Sequence, residues 1–388
     1  MKVLHVTPFY APAWAYGGIP RAVHALVRAQ GALEGVTVTV ATTDVLDMRS
    51  RYVPDALEMG VYRFRNLSNT LAYRLMFLLP RGFRRFLRDH ACEFDIVHLH
   101  GCRHVLNEIF FRSPSRPPFV LSPHGTLPRI ESKILLKRLY DALLGNGVVA
   151  EAARILAVSA AEARQLAAIG CDRVAILPNI VEDPAADTGG GEGRSFRETF
   201  GIEGRYVLYL GKLTPRKRVD LLIEAYAMRS THPGAAAPWP LLVVAGNDMG
   251  TLRSLTRLVR SRSLERRVIF VGLLTGRLRR TAMAAAEAIV YPGEHEVFGL
   301  VPFEGILAGA IPIVSDDSGC GELVREAQCG YVFARGDAAG LSCAIGQALD
   351  EPHRRAEMLQ RGRAFLARFT PETVARRSIE IYRGIGAP

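Results

Sequence analysis

The feature that most limits the fold of this chain is an alternation that runs twice. Short apolar segments of strand length recur with helix-period segments between them, and the series starts again after residue 195. In the first half, Lys2–Thr7 (KVLHVT), Val36–Thr42, Gly60–Phe64, Asp95–Leu99, Phe119–Leu121 and Ile155–Val158 read as strands. Ile19–Leu33 reads as a helix with Ala22, Leu26, Ala29 and Leu33 on one face. In the second half the strands are Tyr206–Leu210, Leu241–Ala245, Val268–Val271, Ala288–Tyr291, Ile311–Ser315 and Tyr331–Phe333, with helices that include Asp220–Met228 and Pro302–Leu307. Apolar strands separated by helices predict mostly parallel sheets covered on both faces, an α/β chain of Rossmann-like βαβ units.

Glu182–Ser195 (EDPAADTGGGEGRS) has no apolar period and reads as an interdomain linker. The 388 residues suit two domains, expected at 1–182 and 196–370 with the linker at 183–195. The tail Glu357–Ile385 reads as basic and helical. With 49% hydrophobic and 22% charged residues, the chain has the material for real cores and is not a disordered one. Six scattered cysteines form no CxxC and no metal-ligand spacing with histidine, so reduced thiols are expected. No apolar leader precedes MKVLHVTPFY, and no stretch approaches the ~20 apolar residues a spanning helix needs. A cytoplasmic location is expected, with peripheral attachment to the inner face of the cell membrane left open. The net charge of +11 favours anionic partners.

In open parallel sheets ligands bind beyond the carboxyl ends of the strands, so the loops after the strands carry the candidates. Pro8–Pro20 (PFYAPAWAYGGIP) ends in Gly17-Gly18 and runs into a helix, an arrangement that lets backbone approach an anion. Gly211–Arg218 (GKLTPRKR) sets Lys212, Arg216, Lys217 and Arg218 at a strand end, where cations stabilise a diphosphate and the charge that grows on it. Pro292–Gly309 (PGEHEVFGLVPFEGILAG) carries Glu296 in a loop and Glu304 eight residues later. The amides near Gly299, Leu300 and Val301 open the helix between them. The two carboxylates can accept hydrogen bonds from hydroxyls of a sugar and a ribose. Ser122–Leu127 (SPHGTL) places His124 after a strand. His98 and His100 in VHLHG share a strand face, but a metal site lacks an evident third ligand, so no metal is expected.

Taken together, these residues make the chain resemble the retaining family 4 (group 1) glycosyltransferases of the GT-B fold. The resemblance covers essentially the whole chain. It rests on the Gly17-Gly18 loop, His124, the Gly211-Lys212…Lys217 turn and the Glu296/Glu304 pair in E-x7-E spacing. It implies two Rossmann-like domains facing each other across a cleft, with a C-terminal helix, 371–388, that crosses back to the first. The family usually has Arg where Lys212 stands, and Lys loses the two-pronged grip on phosphate.

The resemblance also implies the roles. Lys212 and Lys217 bind the donor diphosphate and stabilise it as leaving group. Glu296 meets sugar hydroxyls beside backbone amides from Phe298 to Val301, Glu304 meets the ribose, and His124 meets the transferred sugar. Gly17 and Gly18 leave room for the diphosphate, and the base lies near Leu273. The implied activity is metal-independent transfer of a hexose, mannose-type being slightly favoured, from a GDP- or UDP-sugar with retention. No further cofactor is required. The acceptor is a glycan or lipid-linked molecule of cell-surface polysaccharide or glycolipid synthesis. Front-face substitution is favoured over double displacement because no residue is an evident covalent nucleophile.

Two basic amphipathic stretches, Leu71–His90 with Arg81, Arg84, Arg85 and Arg88, and Ser132–Leu144, suit an anionic membrane surface. A nucleotide-sugar epimerase or hydrolase would use the same fold and donor, without an acceptor. A nicotinamide enzyme lacks its GxGxxG, and no nucleic-acid-binding motif is present, so nucleic acid is not an expected partner.

Overall fold

The computed structural model describes all residues except 54–58, 76–77, 129–133, 145–146, 185–193, 231–238 and 387–388. Most of the expected linker, 185–193, lies outside the described residues. The chain folds as two compact units, Met1–Ile180 with Phe369–Pro388, and Val181–Arg368.

The first unit holds seven strands: β1 (Lys2–Val6), β2 (Thr37–Thr43), β3 (Val61–Phe64), β4 (Ile96–His100), β5 (Phe119–Ser122), β6 (Arg154–Ala157) and β7 (Val174–Ile176). They form one sheet in the order β3-β2-β1-β4-β5-β6-β7, with every pairing parallel. The three-residue β7 escapes sequence reading because it is a short, partly exposed edge strand with no long apolar run. The second unit holds β8 (Tyr206–Leu210), β9 (Leu241–Ala245), β10 (Val268–Gly272), β11 (Ala288–Tyr291), β12 (Ile311–Ser315) and β13 (Tyr331–Phe333). Its order is β10-β9-β8-β11-β12-β13, again parallel throughout.

Both sheets therefore reverse their strand order once, between β1 and β4 and between β8 and β11. Such a switch point leaves a crevice at the carboxyl ends of the two strands, because their following loops depart in opposite directions. Central strands such as β4, β8 and β12 are buried along their whole length, as a sheet covered on both faces requires.

The basic tail holds two helices. Pro352–Leu366 belongs to the second unit, and Pro371–Gly386 to the first. The break follows from Pro371, whose ring lacks an N–H and disfavours helical backbone in the residue before it. Within the first unit, Val374, Ala375, Ile379 and Tyr382 of the last helix share a buried cluster with Ala25, Leu26 and Ala29 of the helix Gly18–Gly31. Burial of each large apolar side chain there contributes about 1.5–3 kcal/mol.

Leu71–His90 is broken at Pro80, with helices at Asn69–Leu75 and Phe83–His90 and residues 76–77 outside the described set. Phe83, Phe86 and Leu87 are buried, while Arg84, Arg85 and Arg88 face solvent. The helix Ile134–Leu144 exposes Leu135, Leu139 and Leu143, a stripe with a four-residue period. No helix among the described residues is long and apolar enough to cross a membrane.

Candidate functional site

The second unit's switch point gathers the charged candidates. Lys217 ends the short 3-10 turn Pro215–Lys217 that follows β8, and Glu296 lies in the loop that follows β11. The two loops are tied by backbone, since the Glu294 N–H donates to Arg216 O at 2.9 Å. Lys217 and Glu296 are thereby brought together: Nζ donates to Oε1 at 2.7 Å. Lys217 Nζ also donates to the Tyr291 hydroxyl, which donates to Glu296 Oε2 at 3.2 Å. The Arg216 guanidinium stands 3.5 Å from Glu296 Oε1.

Lys217 and Glu296 are only 6% and 8% exposed, so their charges interact at low effective dielectric. Burial by itself would raise the Glu296 carboxyl; Lys217 and Arg216 outweigh it and hold the group at about 2. A fixed carboxylate and a fixed ammonium of this kind offer both an acceptor for hydroxyls and a cation for phosphate.

The floor of this site is built from glycine. A Cβ on Gly293 would lie 3.2 Å from Glu296 Oε1, and one on Gly246 would lie 1.7 Å from Gly211 O. Gly299 caps the helix Leu300–Ala308 at φ 75°, where a Cβ would meet Cys320 Sγ at 2.8 Å. The N–H groups of the first turn, from Leu300 and Val301 onward, are the ones a helix leaves without intrahelical partners. Phe298 is buried and anchors this turn against Phe303.

Glu304, one turn into that helix, is buried and paired with Arg279, both under 10% exposed by residue. Sequence reading missed Arg279 and Tyr291. Each sits inside an ordinary helix or strand pattern, and only the packing turns it inward. Lys212 is partly buried at the start of the loop after β8, and its backbone carbonyl accepts from the Tyr209 hydroxyl at 2.8 Å. Leu273, directly after β10, is 45% exposed and Leu274 is buried, so Leu273 is the residue of the pair that a ligand can reach.

The first unit's switch point is polar but uncharged. Gly17 takes φ 96°, a backbone conformation that a side chain resists, and turns the chain into the helix that Gly18 begins. A Cβ at Gly18 would meet nothing within 4 Å. His124 follows β5 at φ 51°, unusual for a residue with a Cβ. Its Nε2 lies 3.1 Å from His100 Nδ1. His98, His100 and His5 pack side by side, which supplies a third histidine beside the VHLHG pair; their ligand-type nitrogens lie within 4.8 Å of one another. Every ring nitrogen of the three has a hydrogen-bond partner. Burial holds His5 and His124 at about 4 and the other two well below their usual value, so all four rings are neutral at pH 7.

Comparison with known proteins identifies the family. Residues 17–179 match the family described as glycosyl transferase 4-like domain, and residues 194–365 match glycosyl transferases group 1. A D-inositol 3-phosphate glycosyltransferase of Acidothermus cellulolyticus is 30% identical over 68% of this chain, a stretch that spans 63% of that protein. A GDP-mannose:cellobiosyl-diphosphopolyprenol alpha-mannosyltransferase of Xanthomonas oryzae is 26% identical over 86% of this chain and 84% of its own length. The structure of Anabaena Alr3699/HepE in complex with UDP-glucose superposes with a TM-score of 0.74 at 18% identity, covering 99% of this chain and all of that one. With each half matched by its own family and both sheets of the Rossmann-like type, the chain belongs to the group 1 (family 4) glycosyltransferases of the GT-B fold.

Proposed function

We propose that the protein transfers a hexose from a nucleotide-diphosphate sugar to a glycan or lipid-linked acceptor, with retention of configuration. The observation that carries this reading is the meeting of Lys217 and Glu296, from two different loops, at the switch point of the second sheet. Lys217, with Lys212 and Arg216 on the same loop, neutralises the diphosphate as it departs. The open amides at Leu300 and Val301 hold a phosphate or sugar oxygen, in line with the positive end of their helix.

Glu296 accepts from the sugar hydroxyls, Glu304 from the ribose, and Leu273 lies beside the base. Gly17 and Gly18 give the diphosphate room, and His124 meets a sugar hydroxyl. A departing phosphate oxygen takes the acceptor's proton, so the reaction proceeds on the front face, and no metal is needed for the charge that these cations carry. A GDP-mannose donor is supported by the name of the Xanthomonas relative, and a UDP-hexose by the Anabaena complex. The same Xanthomonas name supports a diphosphopolyprenol acceptor.

The basic face of Phe83–His90 and the leucine stripe of Ile134–Leu144 suit the anionic lipid surface on which such an acceptor sits.

The test is a melting-temperature screen with GDP-, UDP-, ADP- and dTDP-sugars, followed by donor turnover with and without a polyprenyl-diphosphate glycan. Ligand that binds the folded state raises its melting temperature. Turnover that does not depend on acceptor would make the protein a hydrolase or epimerase; no shift with any nucleotide sugar would end the reading.

A further inference from the structure

The buried polar groups of the first unit form one directed chain. The Ser378 hydroxyl donates to the backbone carbonyl of Ala375 at 2.6 Å, so its oxygen is left to accept. It accepts from Gln30 Nε2 at 2.7 Å, and the second amide hydrogen goes to the Tyr382 hydroxyl at 3.1 Å. This sets the amide oxygen of Gln30 toward His5 Nε2, 2.8 Å away, which must therefore carry the hydrogen. A neutral imidazole has one N–H and one bare nitrogen. His5 Nδ1 is then the acceptor for His100 Nε2–H at 2.9 Å, and His100 Nδ1 the acceptor for His124 Nε2–H at 3.1 Å. Running the protons the other way would rotate the Gln30 amide and forfeit the Ser378–Ala375 bond.

Gln30, His5, His100 and Ser378 are at most 1% exposed, so no water competes for these positions. His124 ends the chain at a cleft that it lines with His100, Ser122 and Asn179, and its Nδ1 has no partner among the described residues.

We propose that Gln30, anchored on the C-terminal helix, is a positioning residue that fixes His124 as its Nε2–H tautomer and leaves Nδ1 as a bare acceptor for a hydroxyl of the transferred sugar. That the hydroxyl belongs to a sugar rests on the function proposed above; the tautomer does not. The same bonds occupy the nitrogens of His5 and His100 that a metal ion would need, and those of His98 are taken by Tyr382 and Ser122, so His5 and His100 serve as a proton-ordering element and not as ligands.

The tautomer is read directly from long-range proton–nitrogen correlations of the full chain labelled with 15N-histidine, with His124→Asn to assign the signal. The expected wild-type pattern at pH 7 is a protonated Nε2 and a bare Nδ1. Gln30→Met removes the amide acceptor and should mix the two forms of His124. Gln30→Glu keeps an oxygen facing His5 and should preserve the wild-type pattern. Loss of a single ordered hydrogen bond should lower kcat/KM for donor by about fivefold in Gln30→Met, with Gln30→Glu closer to wild type.

A protonated Nδ1 in the wild type, an unchanged pattern in Gln30→Met, or stoichiometric Zn²⁺ binding lost in His98→Ala would each overturn the proposal. Should Gln30→Met not fold, the wild-type spectrum still decides. An altered tautomer with unaltered donor kinetics would overturn the sugar contact. A wild-type protein that binds no nucleotide sugar fails the proposed function instead, and does so before any variant is made.

Discussion

The two switch points share a topology and differ in chemistry. Between β8 and β11 the crevice is lined by fixed charges, Lys217 against Glu296 and Arg279 against Glu304. Between β1 and β4 the same place in the fold holds neutral rings, His5, His98 and His100, ordered by hydrogen bonds. The strand order makes a crevice in both, but the loops and inward side chains decide what it can hold. Preformed ion pairs suit a charged ligand, which replaces one counter-charge with another at little reorganisation cost. Neutral, directed donors and acceptors suit uncharged hydroxyls, for which a buried charge would have no counterpart.

The strongest way to break this contrast is to remove the charged pair. Lys217→Ala and Glu296→Ala should each lower transfer by about 10²-fold or more, as electrostatic groups at developing charge do. Burial adds a consequence that the sequence alone does not suggest. Glu296→Ala strands the buried Lys217 ammonium, at a cost of about 3–5 kcal/mol, whereas Lys217→Ala leaves Glu296 with Arg216 and should cost less; the double variant should lose less than the sum. Steady-state transfer assays and denaturant titrations check both halves. Near-normal turnover in either single variant would remove that residue from the reaction.

A finer cut within the charged site is Glu304→Gln. A ribose contact is made equally in the ground and transition states, so donor KM should rise about tenfold with kcat within about twofold. A large fall in kcat instead would place Glu304 at the reacting centre.

The contrast also predicts that the two units fail at different pH. His5 in the folded state titrates at about 4, below its ordinary 6.5, so the unfolded chain takes the proton first. Stability of the first unit should therefore fall as the pH drops from 6.5 toward 4, with His98, His100 and His124 acting in the same sense. Burial raises Glu162 to about 7 and raises Glu108 as well, which works the other way, but five histidines stand against these two groups, since burial also holds His104 at about 4. Glu296, held at about 2 against 4.5, contributes stability that is fully present above pH 4.5 and is lost progressively as the pH falls toward 2. The chain has two tryptophans, Trp14 in the first unit and Trp239 in the second. Fluorescence melts of Trp239→Phe and Trp14→Phe at pH 7 and pH 5 should show the Trp14 signal losing several degrees more. Equal losses would mean that the histidines are not what distinguishes the units.

The smallest expected effect lies on the surface of the first unit. Replacing Leu135, Leu139 and Leu143 together by Ser should weaken sedimentation with anionic vesicles at low salt several-fold, with soluble donor turnover unchanged. A wild-type protein that fails to bind such vesicles would remove the membrane from the account.

Much of the architecture was legible because parallel strands buried on both faces must be apolar throughout. Five of the second unit's strands appear at their expected bounds, and β10 is one residue longer. The loops that carry Lys217, Glu296 and His124 were legible too, since a ligand in such a sheet has only the carboxyl ends to bind. What sequence missed is what periodicity cannot see: Arg279, Tyr291, Gln30 and His5 are polar residues inside regular elements, and nothing local says whether they face water.

By itself, then, the sequence determined the two βαβ series, the positions of the candidate loops and the family resemblance, because these depend on local period and on chain order. Only the tertiary structure decided that Lys217 and Glu296 touch, that Glu304 is held by Arg279, and that a carbonyl in the last helix orders a row of histidines reaching His124. Apart from the local Ser378–Ala375 bond, those contacts join residues 24 to 348 positions apart, and their energies depend on the exclusion of water, which exists only once the chain has packed.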